Sequence, residues 1–433
     1  MALLKIADLH ASLSDPLLER MNFLNEITLR YPNAISFGPG RPYEGFFEVS
    51  RLREYLDAYV AYLEKDLRQS PDEVTTSLFQ YGRTNGQIHE LVAKTLANDE
   101  GIHVAKDSVV VTVGCQEAMF IVLRALFAAP EDVLLVSSPC YVGITGAARL
   151  LDIDMAAVPE RDGQLDVAVL RQTIHDLRAR GKRPRALYVI PDFSNPSGSS
   201  MSLENRRQLL ALAGDEAIVI LEDNPYGFFV GSGDPKPTLK SLDTAQNVLY
   251  FGSFAKTCFP SARVGYVVAD AVVEKANGER APLADELSKI KSMITVNTPA
   301  IAQALIGGML VANGCRLRDT NQEKIAFYRN NISTLVRALE QHFPAGLHGA
   351  TEVRWNIPEG GFFLVVTLPF DADDALLETS ARDHGVIWTP MRYFCLDGAG
   401  DKQLRLSCSY LTPERIEEGV SRLASVVRQK LGR

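Results

Sequence analysis

Ser253, Lys256 and Arg263 place a hydroxyl, an amine and a guanidinium close together along the chain, after the β-rich run 247–251. A lysine amine bonds covalently to an aldehyde carbon, so it is a suitable anchor for an aldehyde cofactor. A hydroxyl and a guanidinium a few residues away are suited to hold a phosphate. Together these residues predict a site for a phosphorylated aldehyde attached to Lys256.

Two further polar clusters also follow apolar, strand-like runs. Asn195 lies in a cluster after the run 186–190, and Asp223 and Tyr226 lie in a cluster after the run 217–221. In an open α/β sheet, ligands bind in the crevice outside the carboxyl ends of the strands. We therefore expect the three clusters to converge on one crevice.

Strand-like runs alternate with helical patterns through the first 300 residues. Fully apolar strands in such an alternation predict a mostly parallel sheet with helices on both faces. Further strand-like runs lie at 109–113 and 133–136, and helical patterns lie at 13–30, 51–68, 116–126 and 142–151.

The pattern changes after about residue 300. A helical stretch, 301–342, leads to strand-like segments at 362–366 and 403–406, which favours a small α+β domain. We expect a large domain over 56–300. The small domain would combine 1–55, including a lid segment, with 301–433, and the crevice would lie between the two domains.

Composition narrows the class of protein. The chain has 433 residues, 46% of them hydrophobic, and a net charge of −8, which argues against a nucleic-acid surface. No segment approaches the roughly 18 apolar residues of a membrane span, and the N-terminus lacks the apolar core of a signal peptide. The six cysteines and seven histidines are scattered, so we expect reduced thiols, no metal and a cytoplasmic protein.

These motifs, in this order, resemble the fold-type I pyridoxal-phosphate enzymes of the class I/II aminotransferase group, over nearly the whole chain. The resemblance implies pyridoxal 5'-phosphate as the cofactor and Lys256 as its covalent anchor and catalytic base. Asp223 matches the carboxylate that pairs with the pyridine nitrogen and keeps it protonated. Asn195 and Tyr226 match the groups that hydrogen-bond the phenolic oxygen of the ring.

The resemblance also implies a phosphate site at the start of a helix. Gly114, Cys115 and Gln116 match the family's phosphate turn, although a small hydroxyl residue is commoner than cysteine there. The backbone N–H of Cys115 would still serve, and Ser253 and Arg263 would complete the site.

Two tyrosines complete the implied cofactor site. Tyr141 matches the aromatic residue that stacks on the cofactor ring, and Tyr81 matches a tyrosine that reaches the phosphate of a neighbouring subunit. If Tyr81 has this role, the protein is a homodimer with shared active sites.

Arg405 matches the arginine that binds the substrate α-carboxylate bidentately, with Gly40 on the opposite wall and Asn195 beside it. Phe23 falls where dicarboxylate-selective relatives place an arginine, which favours an aromatic or apolar substrate. Other arginines remain open as ligands for an acidic substrate: Arg20, Arg41 and Arg392.

Segments 21–26, 35–47 and 79–91 are similar to a natural-product subgroup that includes (S)-3,5-dihydroxyphenylglycine transaminases. We therefore predict a ping-pong aminotransferase of secondary metabolism that acts on an L-amino acid and a 2-oxo acid. Alternatives are a 2-aminoadipate or glutamate transaminase, or elimination, cyclisation or oxidation on the same catalytic residues. A transcriptional regulator is disfavoured because the chain begins almost directly at the enzyme domain, and a non-catalytic scaffold because Lys256, Asp223 and Arg405 are intact.

Overall fold

The computed structural model describes residues 4–231, 233–344 and 353–432. Its strands are β1 (Ile35–Ser36), β2 (Val109–Val113), β3 (Asp132–Ser138), β4 (Asp154–Arg161), β5 (Gln164–Leu165), β6 (Arg183–Val189), β7 (Val219–Asp223), β8 (Val248–Ser253), β9 (Val264–Val268), β10 (Val272–Glu274), β11 (Arg280–Pro282), β12 (Arg354–Trp355), β13 (Phe363–Thr367), β14 (Val386–Ile387), β15 (Thr389–Pro390) and β16 (Gln403–Ser407).

The α-helices are α1 (Pro16–Arg30), α2 (Val49–Lys65), α3 (Pro71–Phe79), α4 (His89–Glu100), α5 (Gly114–Leu126), α6 (Val142–Leu150), α7 (Val167–Ala179), α8 (Leu203–Asp215), α9 (Leu239–Leu242), α10 (Phe254–Thr257), α11 (Leu283–Ile294), α12 (Ala300–Ala312), α13 (Leu317–Thr320), α14 (Gln322–His342), α15 (Asp374–His384) and α16 (Pro413–Lys430). The predicted helical stretch 301–342 is interrupted, because Gly314 and Cys315 both have positive φ angles that end α12.

A central sheet organises the large part of the molecule, with strand order β2-β9-β8-β7-β6-β3-β4-β5. The five neighbours β4, β3, β6, β7 and β8 run parallel, and β9 is antiparallel to both β8 and β2. The edge strand β5 has only two residues, so the sheet is a seven-stranded one with a short addition. This agrees with the predicted mostly parallel sheet.

Apolar residues on both faces of the central strands explain why helices cover the sheet on both sides. Leu134 and Val136 of β3 pack in one core cluster, while Leu135 packs in another with helices α7 and α8. The alternation follows from the two-residue period of a strand. Because β6, β7 and β8 are parallel, their carboxyl ends meet at one edge, and the polar clusters predicted from the sequence follow that edge.

A second, four-stranded antiparallel sheet has the order β12-β13-β16-β15. Its core also contains Ile27, Ile35 and Phe37 from the N-terminal segment, and β1 pairs with β14. Helix α12 packs against α2, and Leu310 shares a core cluster with strand residues of the central sheet. The division into domains at residue 300 stays a prediction. Over the described residues, no helix is long and apolar enough to cross a membrane.

Candidate active site

A cavity of about 530 Å³ opens at the carboxyl edge of the central sheet and is bounded on its other side by β15, β16 and the N-terminal segment. This volume is typical of small-molecule sites. Many of the residues predicted from the sequence line it: Gly40, Cys115, Gln116, Tyr141, Asn195, Asp223, Tyr226, Ser253, Lys256, Arg263 and Arg405.

Lys256 lies on α10, the short helix that follows β8 directly. Its Nζ donates a hydrogen bond to the carbonyl oxygen of Gly40 at 2.7 Å. Burial, and then the nearby charge of Arg263, lower the pKa of the Lys256 amine to about 8. Because only the neutral amine is nucleophilic or basic, this environment makes Lys256 far more reactive near neutral pH than a surface lysine.

Gly40 comes close to the base of the cavity because it has no side chain. A Cβ atom at this position would lie 2.4 Å from Cζ of Phe363, so any larger residue would displace that ring. The predicted close approach of the Gly40 backbone is therefore present, and it is what brings the Gly40 carbonyl to Lys256.

Asp223 is the last residue of β7 and is buried. Its Oδ2 accepts a hydrogen bond from the hydroxyl of Tyr188 at 2.6 Å, and its Oδ1 lies 3.7 Å from Sγ of Cys115, which donates to it. Burial raises the pKa of the Asp223 carboxyl to about 6, although both donors favour the ionised form. Asp223 is therefore ionised at neutral pH and directed into the cavity.

The predicted phosphate site is built from two residues with positive φ angles. Gly114 has φ +70° at the start of α5, and a Cβ there would lie 2.4 Å from Nη2 of Arg263. Arg263 itself has φ 50°, an unusual conformation for a residue with a side chain. Such backbone strain occurs at ligand sites. Here it places the guanidinium against the N-terminus of α5, whose first N–H groups have no partners within the helix.

Ser253 and Gln116 complete this part of the cavity. The Ser253 hydroxyl accepts a hydrogen bond from the N–H of Ala255 at 3.2 Å and so caps α10. Gln116 donates through Nε2 to the carbonyl of Gly143 at 2.7 Å, which ties α5 to α6. One guanidinium, one hydroxyl and a helix N-terminus thus lie together at the place where the sequence predicts a phosphate site.

Arg405 lies on β16 at the far side of the cavity. Its Nη1 donates to Oδ1 of Asn195 at 2.6 Å, and its Nη2 donates to the Gly38 carbonyl at 2.5 Å and to Oγ1 of Thr389 at 3.2 Å. Burial lowers the pKa of the Arg405 guanidinium to about 10, so it stays charged at neutral pH.

Two aromatic rings fix the plane of this guanidinium. Cζ of Arg405 lies 4.7 Å from the ring centre of Phe363 and 4.9 Å from that of Phe394. Its buried Nε has no hydrogen-bond partner within the described residues. A planar cation held between two rings, with a donor unsatisfied, is suited to a carboxylate ligand.

Tyr141 and Tyr226 supply the aromatic part of the cavity. Burial raises the pKa of the Tyr141 phenol to about 12 and that of Tyr226 higher still. Both hydroxyls therefore remain protonated and can donate hydrogen bonds. The Tyr226 ring packs edge-on against Phe363, with ring centres 5.4 Å apart, which orients it.

The remaining wall is largely apolar, and helix α1 contributes Leu24 and Thr28 to it. Phe23, the preceding residue in the sequence, packs against the core of the small sheet, as Leu24 also does, but it does not line the cavity. Phe23 is the residue predicted for this wall, whereas its neighbour Leu24 is the one that lines the cavity. Three further apolar residues complete the wall: Val142, Ile387 and Phe394.

The other arginines considered for an acidic substrate are engaged elsewhere. Arg41 pairs with Glu44 at 3.3 Å and lies over the ring of Tyr410. Arg392 pairs with Asp374 at 2.8 Å. The side chain of Arg20 lies outside the described residues.

Tyr81 lies apart from the cavity of its own chain and is 83% exposed. Three contributors were not identified from the sequence: Tyr188, Thr389 and Phe394. A signal existed only for Tyr188, because a tyrosine stands out in the apolar run 186–190 and a buried phenol needs a hydrogen-bond partner.

The donor set fits pyridoxal 5'-phosphate. Lys256 supplies an amine of lowered pKa, Asp223 a buried carboxylate for the ring nitrogen, and Arg263 a cation for the phosphate. Tyr141 would stack on the ring, and the space that a Cβ at Gly114 would fill is left open next to the guanidinium.

Comparisons with known proteins agree with this geometry. The family model "Aminotransferase class I and II" matches residues 58–423. The (S)-3,5-dihydroxyphenylglycine transaminase of Amycolatopsis orientalis is 50% identical over 99% of this chain and 95% of its own. The aromatic-amino-acid aminotransferase 1 of Thermococcus litoralis is 28% identical over 92% of this chain and 89% of its own.

Solved structures show the same fold. The multiple substrate aminotransferase from Thermococcus profundus superposes with a TM-score of 0.82 and 27% identity, covering 98% of each chain. The α-aminoadipate aminotransferase LysN from Thermus thermophilus, solved with N-(5'-phosphopyridoxyl)-L-leucine, has a TM-score of 0.77 and 26% identity and covers 98% of this chain and all of its own. The predicted family, fold and cofactor are confirmed: this chain belongs to the class I and II aminotransferases and is a pyridoxal-phosphate-dependent transaminase.

Proposed function

We propose that this transaminase takes its amino group from an aromatic L-amino acid of the 3,5-dihydroxyphenylglycine type and passes it to a 2-oxo acid. The proposal rests on the residues that line the cavity. Arg405 is positioned for the α-carboxylate, and the side-chain wall of Leu24, Val142, Ile387 and Phe394 is apolar. The 50% identical relative named for this amino acid supports the same substrate class.

A dicarboxylic substrate fits this wall less well. It would need a second cation. The two candidate arginines whose side chains the structure describes, Arg41 and Arg392, are paired with Glu44 and Asp374. The side chain of Arg20 lies outside the described residues. Burying a carboxylate without a cation is strongly unfavourable. An aromatic ring, by contrast, gains roughly 25 cal/mol for each Å² of apolar surface that it removes from water.

Each predicted site residue would have a separate role in the reaction. When bound, the cofactor supplies an aldehyde and a ring that accepts electrons from the substrate α-carbon. With the cofactor bound, Lys256 would be its covalent anchor and the base that accepts and returns the substrate α-proton. Asp223 would pair with the ring nitrogen, Asn195 and Tyr226 would hydrogen-bond the ring oxygen, and Arg405 would hold the substrate carboxylate.

The assignment is tested with the purified holoenzyme and a panel of amino acids. The panel contains 3,5-dihydroxyphenylglycine, phenylalanine, leucine, 2-aminoadipate and glutamate. The absorbance of the lysine-bound cofactor is followed, and products are identified by mass spectrometry. We expect pyridoxamine phosphate and the 2-oxo acid, formed fastest from the aromatic donors.

Two results would overturn the proposal. If 2-aminoadipate or glutamate reacts fastest as donor, the side-chain wall has been misread. Products other than pyridoxamine phosphate and a 2-oxo acid would show that these residues carry out elimination, cyclisation or oxidation instead.

A homodimer with shared active sites is the second part of the proposal. Phe79 and Tyr81 at the end of α3, and Met293 at the end of α11, are exposed, Met293 by 84%. Helices α2 and α3 both pack against α12, so the exposed end of α3 lies next to these two helices. An apolar surface of this kind is typical of a protein interface. A second copy would cover it and bring Tyr81 to the phosphate of the neighbouring site.

The cytoplasm is the proposed compartment. All six cysteines are unpaired: Cys115, Cys140, Cys258, Cys315, Cys395 and Cys408. Free thiols in this number favour a reducing environment. Resistance of the six thiols to oxidation in intact cells, measured by alkylation and mass spectrometry, would support this part of the proposal.

A further inference from the structure

Tyr188 is a buried tyrosine inside the central sheet, on the strand next to the one that carries Asp223. It is only 1% exposed and pairs in register with Leu221, two residues before Asp223. Its ring lies in an apolar core cluster, where leucine or phenylalanine would pack without a hydroxyl to satisfy. A buried phenol needs a hydrogen-bond partner, and here the partner is Oδ2 of Asp223 at 2.6 Å.

Both carboxylate oxygens of Asp223 accept hydrogen bonds from side chains of the same chain. Tyr188 donates to Oδ2 from strand β6, and Cys115 donates through Sγ to Oδ1 from helix α5 at 3.7 Å. The phenol is the stronger donor because a thiol hydrogen-bonds weakly. The two contacts reach the carboxylate from separate elements, so together they fix the rotation of its plane.

We propose that Tyr188 is a positioning residue for Asp223, one that holds the carboxylate ionised and oriented toward the cofactor ring nitrogen. Its effect on the reaction passes through Asp223. Cys115 assists from the other oxygen, at the position where the family more often has a hydroxyl residue.

The groups around Asp223 explain why its pKa depends on the hydrogen bond from Tyr188. The nearest are thiols and phenols: Cys115, Cys140, Tyr141, Tyr188 and Tyr226. The cations that line the same cavity, Lys256, Arg263 and Arg405, make no hydrogen bond to Asp223 within the described residues. Burial alone therefore drives the Asp223 pKa upward, and the two donors are what oppose it.

The sign of the effect follows directly. A donor to the ionised carboxylate lowers its pKa, so removing the Tyr188 hydroxyl raises it. Asp223 then takes up its proton at a higher pH, and the ring nitrogen loses its anionic partner there. A hydrogen bond to a charged group is worth enough to move this titration upward by about one pH unit, a tenfold change in the protonation equilibrium.

The test compares Tyr188→Phe with a matched variant, Tyr250→Phe. Tyr250 is also a fully buried tyrosine of the central sheet, on strand β8, but it packs in a different core cluster and its hydroxyl donates to Glu100. Both variants lose one buried phenol oxygen. Only the first loses a hydrogen bond to Asp223.

Two measurements are made on the holoenzymes from pH 4.5 to 8. The first is the absorbance of the lysine-bound cofactor, and the second is the rate at which cofactor is released on dilution. We expect Tyr188→Phe to move the acid-side transition of the absorbance upward by about one pH unit and to speed release about tenfold near pH 6.5. Tyr250→Phe should leave both at the parent values.

Three outcomes decide the question. A shift in Tyr188→Phe alone supports the positioning role, even if the enzyme turns over none of the aromatic amino acids. Equal shifts in both variants would show a general effect of losing a buried phenol and overturn the proposal. Unchanged pH dependence in Tyr188→Phe would overturn it too, whatever happens to the melting temperature.

Discussion

Lys256 is the residue on which the chemistry depends, and its replacement separates binding from catalysis. In Lys256→Ala the phosphate site of Arg263, Ser253 and the α5 N-terminus is intact, so cofactor should still bind without a covalent bond. Turnover should fall by at least about 10³-fold, because both the anchor and the general base are lost. Steady-state kinetics and bound-cofactor stoichiometry check this.

Lys324→Met is the matched control for this experiment. Lys324 is a neighbouring, half-buried lysine that donates to the carbonyl of Thr257 at 2.7 Å and does not line the cavity. Its replacement should leave turnover within a few-fold of the parent. Multiple turnovers at a near-parent rate in Lys256→Ala would contradict the assigned role.

Arg405 gives a prediction about substrate binding. Lysine at this position keeps the charge but loses the planar fork and the contacts with Phe363 and Phe394. We expect Arg405→Lys to raise KM for the amino acid about 10- to 100-fold, with a smaller change in kcat. Arg392→Lys, whose parent residue pairs with Asp374, is the control and should leave KM unchanged. Equal effects of both variants would argue against a carboxylate contact at Arg405.

Sequence reasoning at the scale of single residues succeeded where a role depends on neighbours along the chain. Ser253, Lys256 and Arg263 follow one strand, so their proximity could be inferred. Phe23 shows the limit, because adjacent helical residues point about 100° apart. Only the packing of α1 decides that Leu24 lines the cavity while Phe23 does not, although both pack against the small-sheet core.

At the scale of elements, the junction between β2 and α5 is the feature most sensitive to a small change. Gly114→Ala adds a methyl group 2.4 Å from the Arg263 guanidinium at a residue with φ +70°. The guanidinium must move, so cofactor affinity should fall about 10- to 100-fold, an estimate that assigns one charge-assisted contact to the phosphate. Equilibrium titration of cofactor into the apoprotein measures this change.

Gly101→Ala is the control that separates the cost of a positive φ angle from the clash of Gly114→Ala with Arg263. Gly101 ends α4 with φ +66°, and a Cβ there meets no atom within 4 Å. Both variants should lose about 1 kcal/mol of stability from the unfavourable φ angle. Only Gly114→Ala should weaken cofactor binding, and a similar loss in Gly101→Ala would contradict the geometric explanation.

The strands β2, β3, β6, β7 and β8 were predictable because burial on both faces leaves a continuous apolar run that local sequence reveals. The outer strands β4 and β5 were not predicted, because only one residue of β4 is buried and β5 has only two residues. The break between α12 and α13 was not predicted, although Gly314 is a typical helix-ending residue. Helical periodicity continues on either side, and the positive φ at Cys315 carries no signal in the sequence.

At the scale of the whole molecule, the cavity joins segments that are far apart along the chain. Arg405 contacts Asn195 and Gly38, and its rings come from β13 and the segment after β15. Such long-range contacts arise where β16 meets the loop after β6 and the N-terminal segment, a meeting that no local pattern encodes. The family resemblance predicted the role of Arg405, whereas the surrounding rings required the structure.

The proposed shared site leads to a complementation experiment. Tyr81→Ala should weaken cofactor binding and activity at least about 10-fold, whereas Val169→Ala, an exposed apolar control on α7 outside the proposed interface, should not. A Tyr81→Ala chain keeps Lys256, and a Lys256→Ala chain keeps Tyr81. A mixed dimer of the two therefore contains one site with both residues intact, if Tyr81 acts on the partner.

Random pairing makes half of the dimers mixed, so about a quarter of the parental activity should return when the two inactive chains are refolded together. Sedimentation should show a particle of twice the 47.6 kDa chain mass. If Tyr81 acted within its own chain, no mixed site would hold both residues, and refolding together would restore nothing. Activity that stays at the level of the separate variants, in preparations shown to contain mixed dimers, would therefore contradict the shared site.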